Sequence, residues 1–513
     1  MRSSVLQEVV PLSKVIALWR NELARIVKRP FILVVTIIMA VLCFGMTGLM
    51  KFTSIMASSM VGEISDYGDT FSDEAMIDEQ LRYYKEQTQA LQVELEGAQT
   101  GSDEYRMLVE ELQFAGTEYE YYTVLKENGL PMYSSTHDFL DHAARVIAEE
   151  KMQLQYGSPD KDEQTLKTER ISAYEDIVKN KDYGAYIDLQ KEELKLGDYS
   201  EEERAIYEKA LDYQLLCSPT GEVSAVQEVE SWRNDKLSLL QNQYYSDGVY
   251  LPLTDKLKED LENNIAVYEY KIENGLTKVG SDEDMIAELS ITAAGGICNS
   301  FLLFVLIILA GGCISTDIQT GAIKGLIIAP VKRSKIFFAK ILSLLTVGLV
   351  GTLICAGVTL AAQCAFFGFS SISPYVYAFS GKAHELPGVL YLIAQMLVWL
   401  IPVLLIAAFA IMLSAVTRNT GVAIGVSIAA YFVSSGAMSF ISMGILKGEW
   451  VKFLPFQHMD LTAAFFPYSI TSQILDAAGF TTGPSLLFSL VYLGVLILCL
   501  GYIAFDSFTR RDM

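Results

Sequence analysis

The side chains able to carry acid–base, metal or redox chemistry are few in this chain and poorly spaced for it. The histidines are His137, His142, His384 and His458. His137 and His142 stand five apart, off the three- or four-residue spacing that sets two ligands on one helical face. The cysteines are Cys43, Cys217, Cys298, Cys313, Cys355, Cys364 and Cys499. All but Cys217 fall in apolar segments, where a free thiol behaves as a small hydrophobe. No CxxC pair, HExxH, GxSxG or GxxxxGK[ST] motif is present. No catalytic residue, metal ligand or cofactor-binding residue is assigned, and the chain is not expected to be an enzyme.

The segment with mechanical rather than chemical promise is Thr316 to Lys340, TDIQTGAIKGLIIAPVKRSKIFFAK. Asp317 stands near the start of a short amphipathic stretch. Gly321 and Gly325 permit close helix approach, and Pro330 ends the stretch. Lys324, Lys332, Arg333, Lys335 and Lys340 make it basic. A short helix parallel to a membrane and held between two spans can transmit a push from a soluble partner. The same cations also suit an ordinary loop that fixes topology.

The elements that position this loop are apolar. A bilayer core of about 30 Å needs roughly 20 apolar residues in a helix. Phe31–Met50 meets that without a charge, as do 291–314, 341–367, 388–413, 420–446 and 485–508. About 30 residues precede the first of these, too many for a signal-peptide n-region, so it reads as an uncleaved anchor. Lys and Arg concentrate before the first span (Arg2, Lys14, Arg20, Arg25, Lys28, Arg29), after the second, at Arg418 and at Arg510 and Arg511. The alternate loops 368–387 and 447–484 are poor in them. Both termini are therefore expected in the cytoplasm of a multi-pass cell-membrane protein. The span interiors lack charge, which argues against proton coupling. Asn299, Gln363 and Gln395 are expected to bond between helices.

Between the first and second spans lies an acidic insert. Residues 52–289 carry 52 acidic and 21 basic side chains, net −31, against +9 for the rest of a chain whose total is −22. Such a domain is no nucleic-acid partner. Ile77, Leu81, Tyr84, Thr88, Leu91 and Leu95 alternate by four and three, the seam of a helix hairpin or coiled coil. Helices are expected near 103–127, 137–155, 160–195, 201–216, 222–245 and 255–274. Ser200 with Glu203 forms a capping box, and Ser158-Pro159 puts a proline at a first helical position. The many tyrosines, Tyr119, Tyr121, Tyr122, Tyr244 and Tyr245 among them, are expected in helix packing. Before the first span, residues 10–29 form an amphipathic helix. Trp19, Arg20, Arg25 and Lys28 would hold it at the membrane interface, beside anionic lipid. The expected fold is all-α: six transmembrane helices plus a large, mainly helical extracytoplasmic domain. Its parts are a cytoplasmic segment 1–30, a first span 31–51, the domain 52–289 and five spans over 290–513.

Asp317, Gly321, Lys324, Pro330, Arg333, Lys335 and Lys340 stand in an order that resembles the type-2 ABC export permeases, although Ala322 replaces the usual Thr or Ser. Three later segments agree with that pattern: Ser414–Asn419, Phe453–Phe456 with His458–Leu461, and the ending Phe508–Met513. The resemblance covers 10–51 and 290–513. It implies an export subunit that works as a dimer, with a second copy or a related permease. A separate cytoplasmic ABC ATPase subunit would supply ATP and Mg, and this chain would bind no cofactor itself. It implies a coupling helix over about Asp317–Ala329, within the coupling loop 316–340, with Asp317, Gly321, Lys324, Gly325, Pro330 and Arg333 contacting the ATPase. Segment 453–480 would form short outer re-entrant helices. Two other readings fit parts of the sequence: a membrane-anchored receptor or adhesion protein that works through its acidic domain, and an ion-coupled transporter without ATPase.

Overall fold

The computed structural model describes residues 12–64, 73–132, 138–157, 160–223, 226–246, 249–277, 282–321, 332–442, 449–468 and 484–510. Six helices are long and apolar enough to cross a membrane, and the chain is an all-α membrane protein. It divides into two compact units, one of spans and one made of Ile55–Asp282 with Val376–His384.

In the span unit, α1 (Leu12–Val27) precedes the first span, α2 (Pro30–Ile64). The second span, α11 (Asp282–Gly312), ends on a short helix, α12 (Ser315–Gln319). The third is α13 (Arg333–Phe366), the fourth α14 (Gly388–Thr417), the fifth α15 (Thr420–Ser442) and the sixth α16 (Leu486–Arg510). Two apolar cores hold these helices together. Cys43, Cys298, Leu306, Cys355 and Leu400 join the first four spans. Ile26, Leu309, Phe337, Ala410 and Phe508 join α1 to the second, third, fourth and sixth. With no water to drive apolar association, close backbone approach matters most in lipid. Gly311 is such a point: a Cβ there would lie 2.7 Å from Ile424 Cγ1 and 3.2 Å from the Ile424 nitrogen.

Buried polar groups find partners between helices. Gln363 Nε2 donates to the Ala287 carbonyl at 3.0 Å, and Ser290 Oγ donates to Gln363 Oε1 at 2.6 Å. The segment before the sixth span is built from short turns, Glu449–Phe453, Pro455–His458 and Thr462–Phe465. His458 is buried there between Ser489 and the Lys452 carbonyl, each at 3.0 Å. Residues 469–480 of the expected re-entrant segment lie outside the described residues.

The described part of the insert is a succession of helices: α3 (Asp73–Gly97), α4 (Asp103–Glu127), α5 (Asp138–Tyr156), α6 (Lys161–Asn180), α7 (Tyr183–Leu196), α8 (Glu201–Cys217), α9 (Gln227–Gln241) and α10 (Asp255–Glu273). The seam on α3 packs against α4 as a helix hairpin, with Ile77 and Leu91 buried. Phe139, Ile147, Tyr174 and Ile187 centre one core, and Tyr213, Trp232 and Ile265 another. The Ser200–Glu203 capping box forms.

Four local expectations fail. The stretch 160–195 is two helices, because Lys181 takes a left-handed conformation (φ 53°) and Asp182 caps a new start. Asp160, not Ser158, caps α6, which starts at Lys161; Ser158 and Pro159 lie outside the described residues. The stretch 222–245 ends in a strand, not a helix. Asn242 (φ 52°) breaks α9, and β1 (Gln243–Ser246) pairs antiparallel with β2 (Val249–Pro252). Tyr244 and Tyr245 are therefore exposed on a hairpin instead of packed between helices. A second hairpin, β3 (Tyr375–Phe379) and β4 (Lys382–Leu386), turns at Ser380 and Gly381, both at positive φ, as a two-residue type I′ turn requires.

Burial on α9 pushes the Asp235 carboxyl up to about 6, with the Asn264 side chain opposing the shift. The unfolded chain titrates near 3.9. Asp235 thus stabilises the fold fully below about pH 4, and that contribution is lost as pH rises through 6. Asp235→Asn should raise the unfolding temperature at pH 7, by about 1–3 kcal/mol of stability, and leave it unchanged at pH 4. Thermal melts followed by circular dichroism at the two pH values check this.

Candidate functional site

The notable site lies where α1, α12 and the start of α13 meet. Helix α1 is amphipathic, and its inner edge carries Trp19, Glu22 and Ile26 at helical spacing. Trp19 Nε1 donates to Thr346 Oγ1 at 3.0 Å, and Ser343 Oγ donates to the Trp19 carbonyl at 3.3 Å. These bonds seat α1 along the third span. Lys340 projects from α13 two turns after its start. Its Nζ donates to Asp317 Oδ2 at 2.6 Å and to Glu22 Oε1 at 3.2 Å. Arg25 Nη1 donates to Asp317 Oδ1 at 3.3 Å and lies 3.7 Å from Glu22.

Two cations and two carboxylates thus form a neutral group. Lys340, Asp317 and Glu22 are nearly closed to solvent, with side chains 6%, 11% and 14% exposed, whereas Arg25 is half exposed at its rim. Each inner charge is costly to bury alone and is tolerated because the others compensate it. A cavity of about 30 Å³ beside them, lined also by Arg29, Cys313 and Ser343, has room for a water, which needs about 10–15 Å³.

The other side of α12 is clamped as well. Ser414 Oγ, on the fourth span, accepts from the Ile314 and Ser315 backbone N–H groups at 3.3 and 2.9 Å. Ser315 Oγ lies 2.8 Å from Thr420 Oγ1, and Gln319 Nε2 donates to the Arg418 carbonyl at 3.3 Å. The turn at Arg418, itself at φ 53°, therefore meets α12 directly. Arg333 Nη1 donates to the Thr509 carbonyl at 3.4 Å, and Ser507 Oγ donates to the Ala415 carbonyl at 3.3 Å. The starts of α2, α13 and α15 and the ends of α11, α14 and α16 gather at this one end.

Of the residues singled out in the sequence, Asp317, Arg25 and Trp19 come together here. Arg333 binds the end of the sixth span instead, and Arg20 and Lys28 point outward, exposed. Lys324, Gly325 and Pro330 lie outside the described residues. Gly321 stands at φ 72°, and a Cβ there would meet nothing within 4 Å among the described residues. The described helix at this point is Ser315–Gln319, and residues 322–329 of the expected coupling helix lie outside the described residues. Glu22 and Ser414 were not foreseen as site residues. An acid on the inner edge of an otherwise basic amphipathic helix was the available signal for Glu22.

Removing one member of a buried ion pair strands its partner, at a cost of about 3–5 kcal/mol. Lys340→Met and Asp317→Leu should each lower the thermal stability of the lipid-reconstituted chain. The double variant should recover most of the loss, and a double-mutant cycle on unfolding temperatures measures that coupling. Glu22→Gln, whose partner keeps Asp317, should cost less than either.

Comparison with known proteins locates the matched region. A family of unknown function, DUF2705, matches residues 278–513. The chain is 29% identical over 261 residues to the uncharacterised protein YhcI of Bacillus subtilis (strain 168), covering 50% of this chain and 78% of that one. It is 30% identical over 184 residues to the uncharacterised membrane protein YdbK of the same organism, covering 36% and 68%. No solved structure matches. With two thirds of YdbK aligned at that identity, the chain belongs to the family of this membrane protein.

Proposed function

We infer that the chain is the membrane-spanning permease subunit of an ABC exporter, moving substrate outward with ATP hydrolysed on a separate subunit. The observation that carries this reading is the four-charge joint of Glu22, Arg25, Asp317 and Lys340. It ties an amphipathic helix and a short inter-span helix to the third span, at the end where the span-flanking cations collect. A force applied to α1 or α12 at that end has a stiff route into α13 through Lys340, and into α14 through Ser414. An anchor for a receptor needs no such joint.

In this reading that end faces the cytoplasm, since the Lys- and Arg-rich flanks stay inside. The insert then lies outside. Helix α1 rests on the membrane interface with Arg20 and Lys28 toward lipid headgroups and the ATPase. Closure of an ATP- and Mg-loaded ATPase pair would push α12 and the loop after Gly321, including Lys324, Gly325 and Pro330. The push would shift a pair of permeases, either two copies or this chain with a relative. The chain itself holds no nucleotide and hydrolyses none.

Two measurements test the reading. A Walker-motif ATPase encoded beside this gene should co-purify with the full chain. Asp317→Ala should reduce its recovery about tenfold, a loss of about 1.4 kcal/mol. Arg20→Glu with Lys28→Glu, both exposed and outside the charge joint, should also weaken recovery. Unchanged ATPase recovery after deleting 317–330 would sink the coupling assignment. In intact cells, a membrane-impermeant maleimide should label a cysteine placed at exposed Leu196 and fail to label one placed at Arg20; the reverse pattern would invert the topology.

A further inference from the structure

The insert contains a cleft of about 390 Å³ between α7, α8 and α9, within the range of roughly 300–1,000 Å³ usual for small-ligand sites. Its floor is apolar, from Leu194, Leu211 and Val229. One wall is the ring pair of Tyr199 and Tyr207, with centroids 5.1 Å apart. Gly197 makes that wall possible, because a Cβ there would lie 2.5 Å from the Tyr199 ring.

The charged residues of the cleft differ in how far they are already partnered. Glu193, at its back, is already committed: Arg170 Nε donates to it at 2.7 Å and the Tyr174 hydroxyl at 2.9 Å. Glu230 and Arg233 line the opening from α9. Among the described residues neither makes an ion pair, and the bond that Arg233 does make is a long one of 3.5 Å to Asn234. Of the insert's six arginines, Arg106, Arg145 and Arg170 each hold an acid, whereas Arg82, Arg204 and Arg233 make no ion pair among the described residues. Three residues apart on a helix, the Glu230 and Arg233 side chains start about 5–6 Å from each other.

We propose that this cleft binds a small zwitterion with an apolar body, of the class of a short hydrophobic peptide. The ammonium would pair with Glu230, the carboxylate with Arg233, and the side chains would cover the tyrosine wall and the leucine floor. Both charges sit at an open rim, so each contact contributes modestly and the apolar floor supplies most of the affinity. The cleft lies wholly inside the insert, so the inference is independent of the exporter reading.

The probe is the dipeptide Phe-Leu, titrated by calorimetry into the full chain in phosphatidylcholine nanodiscs. Its N-acetyl and C-amide forms, and dihexanoyl phosphatidylethanolamine as a zwitterion of lipid origin, complete the set. The free dipeptide should bind with a Kd below about 1 mM, and each blocked form about tenfold more weakly. Glu230→Gln should abolish the preference for a free amine, and Arg233→Gln the preference for a free carboxylate. Both changes are at the rim and leave the helix cores intact. Tighter binding of the ethanolamine lipid, lost in the same two variants, would keep the zwitterion site and assign it to a lipid headgroup. No binding of any probe would overturn the proposal. So would equal binding of free and blocked dipeptides to the unmodified chain.

Discussion

A lysine placed two turns inside a membrane-spanning helix must find compensating charge, and the geometry around Lys340 follows from that demand. Hydrocarbon cannot solvate an ammonium, and snorkelling alone would send it to the nearest headgroup. Here two carboxylates come to it instead, Asp317 from the turn after the second span and Glu22 from the helix before the first. Glu22 can reach Lys340 only if α1 lies along α13. Asp317 can reach it only if the chain turns at Ile314 and runs back across the bundle. The position of both peripheral elements is thus set by one buried cation. Arg25 closes the group to neutrality.

The remaining contacts at this end reinforce that placement with bonds between uncharged groups. Ser414 accepts two backbone N–H groups that the start of α12 leaves without helical partners. Thr420 holds Ser315 and Thr316, and the Arg418 carbonyl holds Gln319. Unlike the ion pairs, these bonds carry no large desolvation penalty and resist displacement in any direction. Helix α12 is consequently stiff at its root. Through Lys340 and Ser414 that root is tied to both α13 and α14.

The spans were legible because lipid enforces a simple rule: backbone polar groups must be satisfied within a helix, so a long apolar run has one structure open to it. Asp317 was legible as a residue of interest because a carboxylate at a span end needs a reason. Its partners were not, since Lys340 is 23 residues away and Glu22 lies across the whole insert in sequence. Periodicity does not encode such pairings. The insert's helices were legible where amphipathic spacing and capping agreed, as at Ser200. They failed where one residue at positive φ decided the outcome. Lys181 and Asn242 both close a helix as left-handed C-caps; Asn is a common residue there and Lys an uncommon one, so composition signals the first weakly and the second not at all. The two hairpins were missed for a related reason. Strands of four or five residues carry too little alternation to compete with flanking helical patterns.

The two units place their polar groups by opposite physical logic. In the spans, uncompensated charge is excluded, and each buried charge is answered by a partner from another helix. In the insert, water screens a net charge of −31, and most of its paired cations hold local structure together. Lys167, Arg170, Glu150 and Glu193 form such a group across α5, α6 and α7. Against that background, Glu230 and Arg233 stand without an ion pair at the mouth of a cleft whose floor and wall are apolar and aromatic. Opposite charges over an apolar floor are completed by a molecule that carries both charges and an apolar body, so the argument for a ligand rests on the cleft that joins these features and not on either charge alone.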